Sequence, residues 1–458
     1  MKTKLIGIII CMLLIATTIS AVGQVKDISM SKETFEINPL SNGDKWIKTY
    51  DLNRYDGASS VQQTSDGGYI IVGVTVDSIN RDDIWLIKTD AQGNKIWDKT
   101  FGGEKSDLAH KVRQTSDGGY IIIGHTYSYS VGLRDIWLIK TDKDGNKMWD
   151  KTFGDVNYDL GFDVKQTADS GYIIAGETYI PGSPSVPFEG YALLIKTDEF
   201  GNLEWESTYS DIDIDGAAHS VVQTLDGSYV VLGQIATADN ENVDVWLFKT
   251  NSDGELLWEK TFIEDALGAG SSVQLTNDGG YILTGITSLN SNVILAPYQT
   301  GKIQPYGEDI VVNIFLIKTD SNGELLWEKT YGGDYFDVGY EVQQTNDGGY
   351  IIIGFTGNED LVGGDGLLIK TDSDGEKEWS KTYGGIISTE LIGSGQQTMD
   401  GGYILAGYKQ SVFNSDIWLI KTDSNGNVAR NRDRNIQILW LFELFPNLFP
   451  ILRLLLQR

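Results

Sequence analysis

Three histidines, a recurring aspartate and paired tyrosines are the residues of this chain whose types and spacing could do chemistry. His110, His125 and His219 are its only imidazoles, and no His-Glu-x-x-His pattern joins them. Cys11 is the sole cysteine, so zinc chemistry of the usual Cys/His kind has no ligand set. His110 and His219 stand four residues before a glutamine that recurs along the chain. The same slot elsewhere holds Ser59, Phe162, Ser271, Tyr340 and Gly393. Variation at one slot of an otherwise fixed pattern marks either a channel-lining, ligand-facing position or a solvated one under no constraint.

A second register lies seven residues before that glutamine and carries Asp56, Asp107, Asp159, Asp337 and Glu390, with Asp215 offset by one and Gly268 in place of an acid. If these carboxylates met around one channel mouth, the ring would take a cation such as Ca2+ or a polar ligand. The competing reading is that each aspartate caps its own turn. No resident cofactor is expected beyond such an ion. Asp-x-Asp-Gly and Asp-x-Asn-Gly turns, as at Asp372–Gly375 and Asp320–Gly323, lack the twelve-residue loop and closing Glu of an EF-hand, and read as hairpin turns. No catalytic constellation emerges from these residues.

The elements that must position them follow from the repeat. Gln-Thr-x-Asp-Gly-Gly-Tyr recurs with its tyrosine at Tyr69, Tyr120, Tyr172, Tyr229, Tyr281, Tyr350 and Tyr403. Trp-Leu-Ile-Lys-Thr-Asp is clearest at Trp85, Trp137, Trp246 and Trp418, with weaker copies at Leu193, Phe315 and Leu367. Trp-x-Lys-Thr-Phe/Tyr, or a close variant, starts at Trp46, Trp97, Trp149, Trp205, Trp258, Trp327 and Trp379. Each repeat therefore reads as four strands: 57–64, 69–75, 83–89 and 94–101 in the first copy. Asp66-Gly67-Gly68 and Asp90 to Gly93 supply the hairpin turns. Consecutive apolar residues such as Tyr69-Ile70-Ile71-Val72 require cover on both sheet faces. Four-stranded sheets stacked around an axis provide it, so the expectation is all-β: a seven-bladed β-propeller spanning 44–428. Trp46 to Tyr50 is a fourth strand with no first strand before it, and the last repeat lacks a fourth strand. The N-terminal strand is expected to complete the last blade and close the ring. Residues repeated seven times, such as Lys88 and Asp90, read as structural.

The run Gln-Thr-x-Asp-Gly-Gly-Tyr-Ile-Ile-x-Gly followed by Asp-Ile-Trp-Leu-Ile-Lys-Thr-Asp-x-x-Gly-Asn-x-x-Trp-x-Lys-Thr-Phe-Gly-Gly resembles the repeats of secreted prokaryotic β-propeller proteins, over about 44 to 427. Its third and fourth strands also look like the quinoprotein repeat, a likeness that implies fold rather than chemistry. Quinone-dependent members often carry a vicinal cysteine pair, and none is present beyond Cys11. The sialidase Asp-box places tryptophan three residues after its glycine, whereas Gly93 and Trp97 are four apart.

The ends and the charge bear on location. Lys2 and Lys4, an apolar run from Leu5 to Ile15 and small residues to Gly23 form the pattern of a signal peptide, expected over 1–23. A linker is expected over 24–43. The net charge of −28 becomes about −30 without Lys2 and Lys4, which disfavours nucleic acid and anionic lipid as partners. The insertions 180–189 and 289–309 break the repeat, and Tyr298 and Tyr306 there could stack on sugars or on partner side chains. The basic and apolar tail over 429–458 reads as two short amphipathic helices about a Pro-Asn-Leu-Phe-Pro kink, whose 436–456 stretch would dock on a partner or a membrane interface. The leading expectation is an exported, non-enzymatic binding propeller acting on a protein or glycan at the cell surface. The alternatives are a propeller enzyme acting on extracellular polysaccharide, hydrolase or lyase, and a structural surface component assembled through its tail.

Overall fold

In a computed structural model the described residues are 45–52, 55–76, 81–181, 188–209, 215–236, 243–263, 267–288, 311–333, 336–357, 364–385, 390–410 and 414–429. All of them fall in the unit Gly43–Arg458. The leader, the linker, Tyr298, Tyr306 and the proposed tail helices lie outside the described residues. Among those described there is no helix, and 28 strands account for the regular structure.

The strands run in chain order. β1 (Trp46–Tyr50) stands alone at the start. β2 (Tyr55–Gln63), β3 (Tyr69–Val76), β4 (Asp82–Thr89) and β5 (Lys95–Phe101) form the first sheet. β6 (Asp107–Gln114), β7 (Tyr120–Thr126), β8 (Asp135–Thr141) and β9 (Lys147–Phe153) form the second. The third is β10 (Asp159–Gln166), β11 (Tyr172–Pro181), β12 (Phe188–Thr197) and β13 (Leu203–Tyr209). The fourth is β14 (Gly216–Gln223), β15 (Tyr229–Ala236), β16 (Val243–Thr250) and β17 (Leu256–Phe262). The fifth is β18 (Leu267–Leu275), β19 (Tyr281–Ser288), β20 (Asn313–Thr319) and β21 (Leu325–Tyr331). The sixth is β22 (Asp337–Gln344), β23 (Tyr350–Gly357), β24 (Gly364–Thr371) and β25 (Lys377–Tyr383). β26 (Glu390–Gln397), β27 (Tyr403–Gln410) and β28 (Ser415–Thr422) end the series, and β1 pairs antiparallel with β28 along its whole length, Trp46 opposite Lys421 and Tyr50 opposite Ile417.

Within each sheet neighbouring strands are antiparallel. One parallel pair, Tyr55 with Ser415, fuses the β26–β28 group to the first sheet. Arg134 with Tyr158 and Val312 with Phe336 are the same contact between other neighbouring sheets. The fusion is therefore a junction between two packed sheets rather than a continuous ladder. The third sheet extends its middle hairpin into the first insertion, with Tyr179 opposite Gly190 and Pro181 opposite Phe188. Beyond Thr178 the first strand of that sheet is no longer paired to it, so Pro181 interrupts no ladder on that side.

The middle strands are buried through both faces; β8 is buried at every residue. The outermost strands alternate, as in β17, because one face meets solvent. The repeats lock themselves alike. The lysine of Trp-Leu-Ile-Lys-Thr lies almost wholly buried, Lys249 of the fourth repeat being the one only partly so, and meets the turn aspartate, Lys88 with Asp66 at 2.9 Å and Lys140 with Asp117 at 2.9 Å. The lysine also donates to the next carbonyl, Lys88 Nζ to Thr89 O at 2.9 Å. Gly68 is glycine because a Cβ there would lie 2.2 Å from Thr89 O. The seven-fold Asp and Lys are thus consumed by turns.

Sheets join through the fourth-strand tryptophan, which lies over the last hairpin glycine of the next sheet: Trp97 on Gly145, Trp379 on Gly426 and Trp46 on Gly93. The same ring meets the next tyrosine edge-on, Trp97 with Tyr120 at 6.0 Å and Trp46 with Tyr69 at 5.7 Å.

Candidate functional site at the loop end of the second and third sheets

The first strand of every sheet carries a β-bulge, and the bulged residue is always the variable one. The ladder skips Ser59, His110, Phe162, His219, Ser271, Tyr340 and Gly393. A bulge re-aims its side chain off the ladder. Ser59 Oγ donates to Ala109 O of the next sheet at 2.7 Å, and a His219 ring nitrogen meets Gly270 O at 2.8 Å. His110, Phe162 and His219 stack edge to face, at 5.5 Å and 5.2 Å between ring centres. Of these seven residues, Ser271 also borders the cavity at the centre of the first strands.

The acidic register is placed just before the bulge, at the entry of each first strand. Asp56, Asp107, Asp159, Asp337 and Glu390 are buried there. Asp56, Asp107, Asp159 and Asp337 each accept from the backbone amide four residues earlier: Leu52 at 2.7 Å, Gly103 at 2.9 Å, Asp155 at 3.0 Å and Gly333 at 3.0 Å. Glu390 accepts from Gly385 at 3.2 Å, and Asp215 from Gly190 at 2.9 Å. These carboxylates cap connections one sheet at a time. Among the described residues no three His, Cys, Asp or Glu come together as a metal would need.

A different group gathers where the second and third sheets meet, at the edge that bears the loops between second and third strands. His110 Nε2 lies 3.1 Å from His125 Nδ1, so one of the two nitrogens donates and the other accepts. Arg134 enters from the residue before β8, opposite Tyr158 in a parallel bridge: its amide donates to Asn157 O and its carbonyl accepts from Asp159 N. Its guanidinium sits 4.8 Å from the Tyr158 ring centre and 5.9 Å from that of Tyr127. Glu177 and Tyr179 on β11 hydrogen-bond to each other and feel the Arg134 charge. Tyr158 and Tyr179 meet edge to face at 6.3 Å.

Burial sets the protonation of this group. It holds His110 down to about 4, with Arg134 and Lys111 adding repulsion, and His125 well below the ordinary histidine range. Both imidazoles are neutral at pH 7. Burial pushes the Glu177 carboxyl up to about 7, and keeps the Tyr179 phenol protonated through the physiological range. Arg134 is 5% exposed, and among the described residues it has no carboxylate within ion-pairing distance; its Nε donates to no protein group. A buried guanidinium without a counter-ion is costly, and an anion brought to it would be held between two aromatic rings.

The repeat supplies an internal comparison. The slot of His125 and Glu177 holds Ile286 and Phe355 in the fifth and sixth sheets, and that of Arg134 holds Val312. Tyr158 corresponds to Leu267 and Phe336, and His110 to Tyr340. Those substitutes pack into one apolar cluster. The fold therefore closes this junction with mainly apolar side chains on one side and with titratable groups on the other. The sequence reading named His110, Phe162 and His219 but missed Arg134, Glu177, Tyr158 and Tyr179. The available signal was the residue after the second-strand glycine, which runs Val74, His125, Glu177, Gln234, Ile286, Phe355 and Tyr408.

No sequence-family model matches the chain, and no curated protein matches it in sequence. Among solved structures, an ulvan lyase from a new polysaccharide-lyase family, bound to a ligand containing GlcA, aligns with a TM-score of 0.51 at 10% identity, over 84% of this chain and 98% of that one. The β-propeller domain of the trilobed protease from Pyrococcus furiosus aligns with a TM-score of 0.44 at 10% identity, over 83% and 100%. An acylaminoacyl peptidase of Pyrococcus horikoshii gives 0.45 at 12%, over 84% and 54%. Likeness at this identity concerns the fold, and with the sheet arrangement it defines the class: the chain is a β-propeller built from sequence repeats.

Proposed function

We propose that this chain is an exported, seven-bladed, closed propeller that binds an acidic saccharide at the Arg134 end of its second and third blades. Support for closure comes from β1 on β28, from Trp46 over Gly93, and from the first strands packing in turn until β26 meets β2. The leader pattern over 1–23 supports export. The observation that carries the ligand is Arg134 itself: a buried cation with no carboxylate in ion-pairing distance among the described residues, beside tyrosine rings, in a chain of net charge −28. A carboxylated sugar would meet the guanidinium with its charge and the tyrosines with its apolar face.

A second reading, catalysis by β-elimination on a uronate, is favoured by the neutral His110–His125 pair beside that cation. A neutral imidazole can take the proton α to a carboxylate that Arg134 holds, and a protonated phenol such as Tyr179 can deliver one to the departing oxygen. The ulvan lyase likeness supports only that such a fold can carry such a reaction.

The test is binding of uronate-bearing and neutral polysaccharides by calorimetry, with the ultraviolet absorbance of an unsaturated product followed in parallel. Saturable binding of the acidic glycan, reduced at least tenfold in Arg134→Met, is expected. Equal binding of neutral glycans, or a variant that binds as the parent does, would overturn the reading. Binding without product would leave the protein a lectin-like platform and reject elimination on that glycan.

A further inference from the structure

The centre of the ring carries a second, unrelated charge arrangement. A cavity of about 380 Å³ is lined by first-strand residues of all seven sheets. Neutral polar residues, including Gln62, Ser271, Gln274 and Gln396, form the largest part of its lining. Into it the second and third sheets place Lys111, Arg113, Asp163 and Lys165, and the sixth places Glu341. These residues fall three or one positions before the motif glutamine, where the other sheets carry serine, glutamine or valine.

The two carboxylates are already engaged. In this register a side chain accepts from the backbone of the next sheet: Ser394 Oγ from Val61 N at 3.1 Å, and Ser220 Oγ from Val273 N at 3.3 Å. Asp163 does the same for Val221 N at 3.2 Å, and Glu341 for Gly395 N at 2.8 Å. Asp163 also takes both Lys165, at 3.1 Å, and its own neighbour Val164 N, at 3.0 Å. Glu341 is the partner of Lys111. Arg113 is left with a nearest carboxylate oxygen at 3.9 Å and a bond to the adjoining Val112 carbonyl at 3.1 Å. Three cations thus face two committed carboxylates in a partly dehydrated space, inside a chain whose overall charge is strongly negative.

We propose that this cavity is a binding site for a single oxyanion, held by Arg113 and Lys165 together. Both side chains reach the same Asp163 from adjacent strands, so an anion beside them would satisfy the guanidinium fork and the ammonium at once. It would also relieve the repulsion between the two cations, which together with burial holds Lys165 down to about 8. The cavity admits sulfate, phosphate or the carboxylate of a small acid, and the glutamines offer amide donors around it.

Inorganic sulfate is the probe, titrated into the folded full chain by calorimetry in sodium chloride at constant ionic strength. A saturable site is expected that is weakened at least tenfold in Arg113→Gln and retained in Arg134→Met, which separates it from the loop-end site. Gln396→Glu adds a carboxylate to the same cavity without removing a cation, and is expected to weaken sulfate by a similar factor. Absence of saturable sulfate binding by the parent chain would overturn the proposal. So would an Arg113→Gln or Gln396→Glu chain with parental melting temperature and undiminished affinity.

Discussion

The side-chain oxygen of Gln63 accepts a hydrogen bond from the backbone amide of Met399 at 2.8 Å, across 336 residues of sequence. The same bond joins neighbouring sheets elsewhere: Gln114 takes the Ser65 amide at 2.8 Å, and Gln397 takes that of Asn346 at 2.9 Å. The motif glutamine is therefore a strap from the first strand that carries it to the turn of the sheet before it. Gln63 makes that strap between the last repeat and the first.

The fifth sheet lacks the strap, because Leu275 occupies the glutamine slot and is partly exposed there. Leu275→Gln is expected to capture the Leu225 amide and raise stability by about 0.5–1 kcal/mol, the net worth of one such bond. Urea denaturation of both proteins measures it; an unchanged midpoint would mean the strap contributes nothing.

Removal of Asp44 to Tyr50 takes away β1, and with it the Lys45–Asp423 ion pair and the Trp46 contact with Gly93. The β28 ladder then becomes an open edge, and concentration-dependent aggregation is expected. Light scattering of the deletion against the parent decides; a monodisperse product of equal melting temperature would refute closure by this strand.

Replacing Asp107, Asp159 and Asp337 together by alanine is expected to destabilise the fold by about 0.5–1.5 kcal/mol per site, the net worth of the cap hydrogen bond each makes to a partly or fully exposed residue's amide. If the residues act only as caps, a chelator leaves the parent melting temperature unmoved. A chelator-induced fall in the parent, abolished in the triple variant, would instead restore the cation ring.

Glu177 and the histidines pull the pH dependence in opposite directions. With its carboxyl raised to about 7 from 4.5, folded Glu177 keeps a proton that the unfolded chain releases; its stabilising share is full below pH 4.5 and lost as pH rises through 7. His110 and His219, lowered to about 4 from 6.5, contribute fully above pH 6.5 and lose their share as pH falls toward 4. Glu177→Gln should therefore raise stability at about pH 8, on the order of 3 kcal/mol, and change little near pH 4.5. Melting curves across that range check it; a uniform offset at all pH values would rule out titration of this carboxyl.

The strands and turns were legible because their signals are local and repeated. Asp66-Gly67-Gly68 needs only its own residues to make a hairpin, and the first four strands fall within two residues of the positions read from the pattern. The bulge at His110 was not legible, because residues as different as Gly393 and Phe162 occupy it and no side-chain type demands it. The loop-end cluster was hidden for another reason. Arg134 and Glu177 lie in different repeats, each passing for an ordinary substitution in its own copy, and only the packing of adjacent sheets brings their charges together. The central cations share that origin: Arg113 and Lys165 meet one carboxylate because neighbouring first strands converge.

The pairing of β1 with β28 also fixes how the molecule would yield to force. Trp46 lies opposite Lys421, so the chain before β1 and the chain after β28 leave from the same end of the pair. A pull between those two segments would peel the ladder like a zipper, loading the Lys45–Asp423 contact first and then one rung at a time toward Tyr50. The β1–β28 clasp would thus be mechanically soft when tugged along the polypeptide.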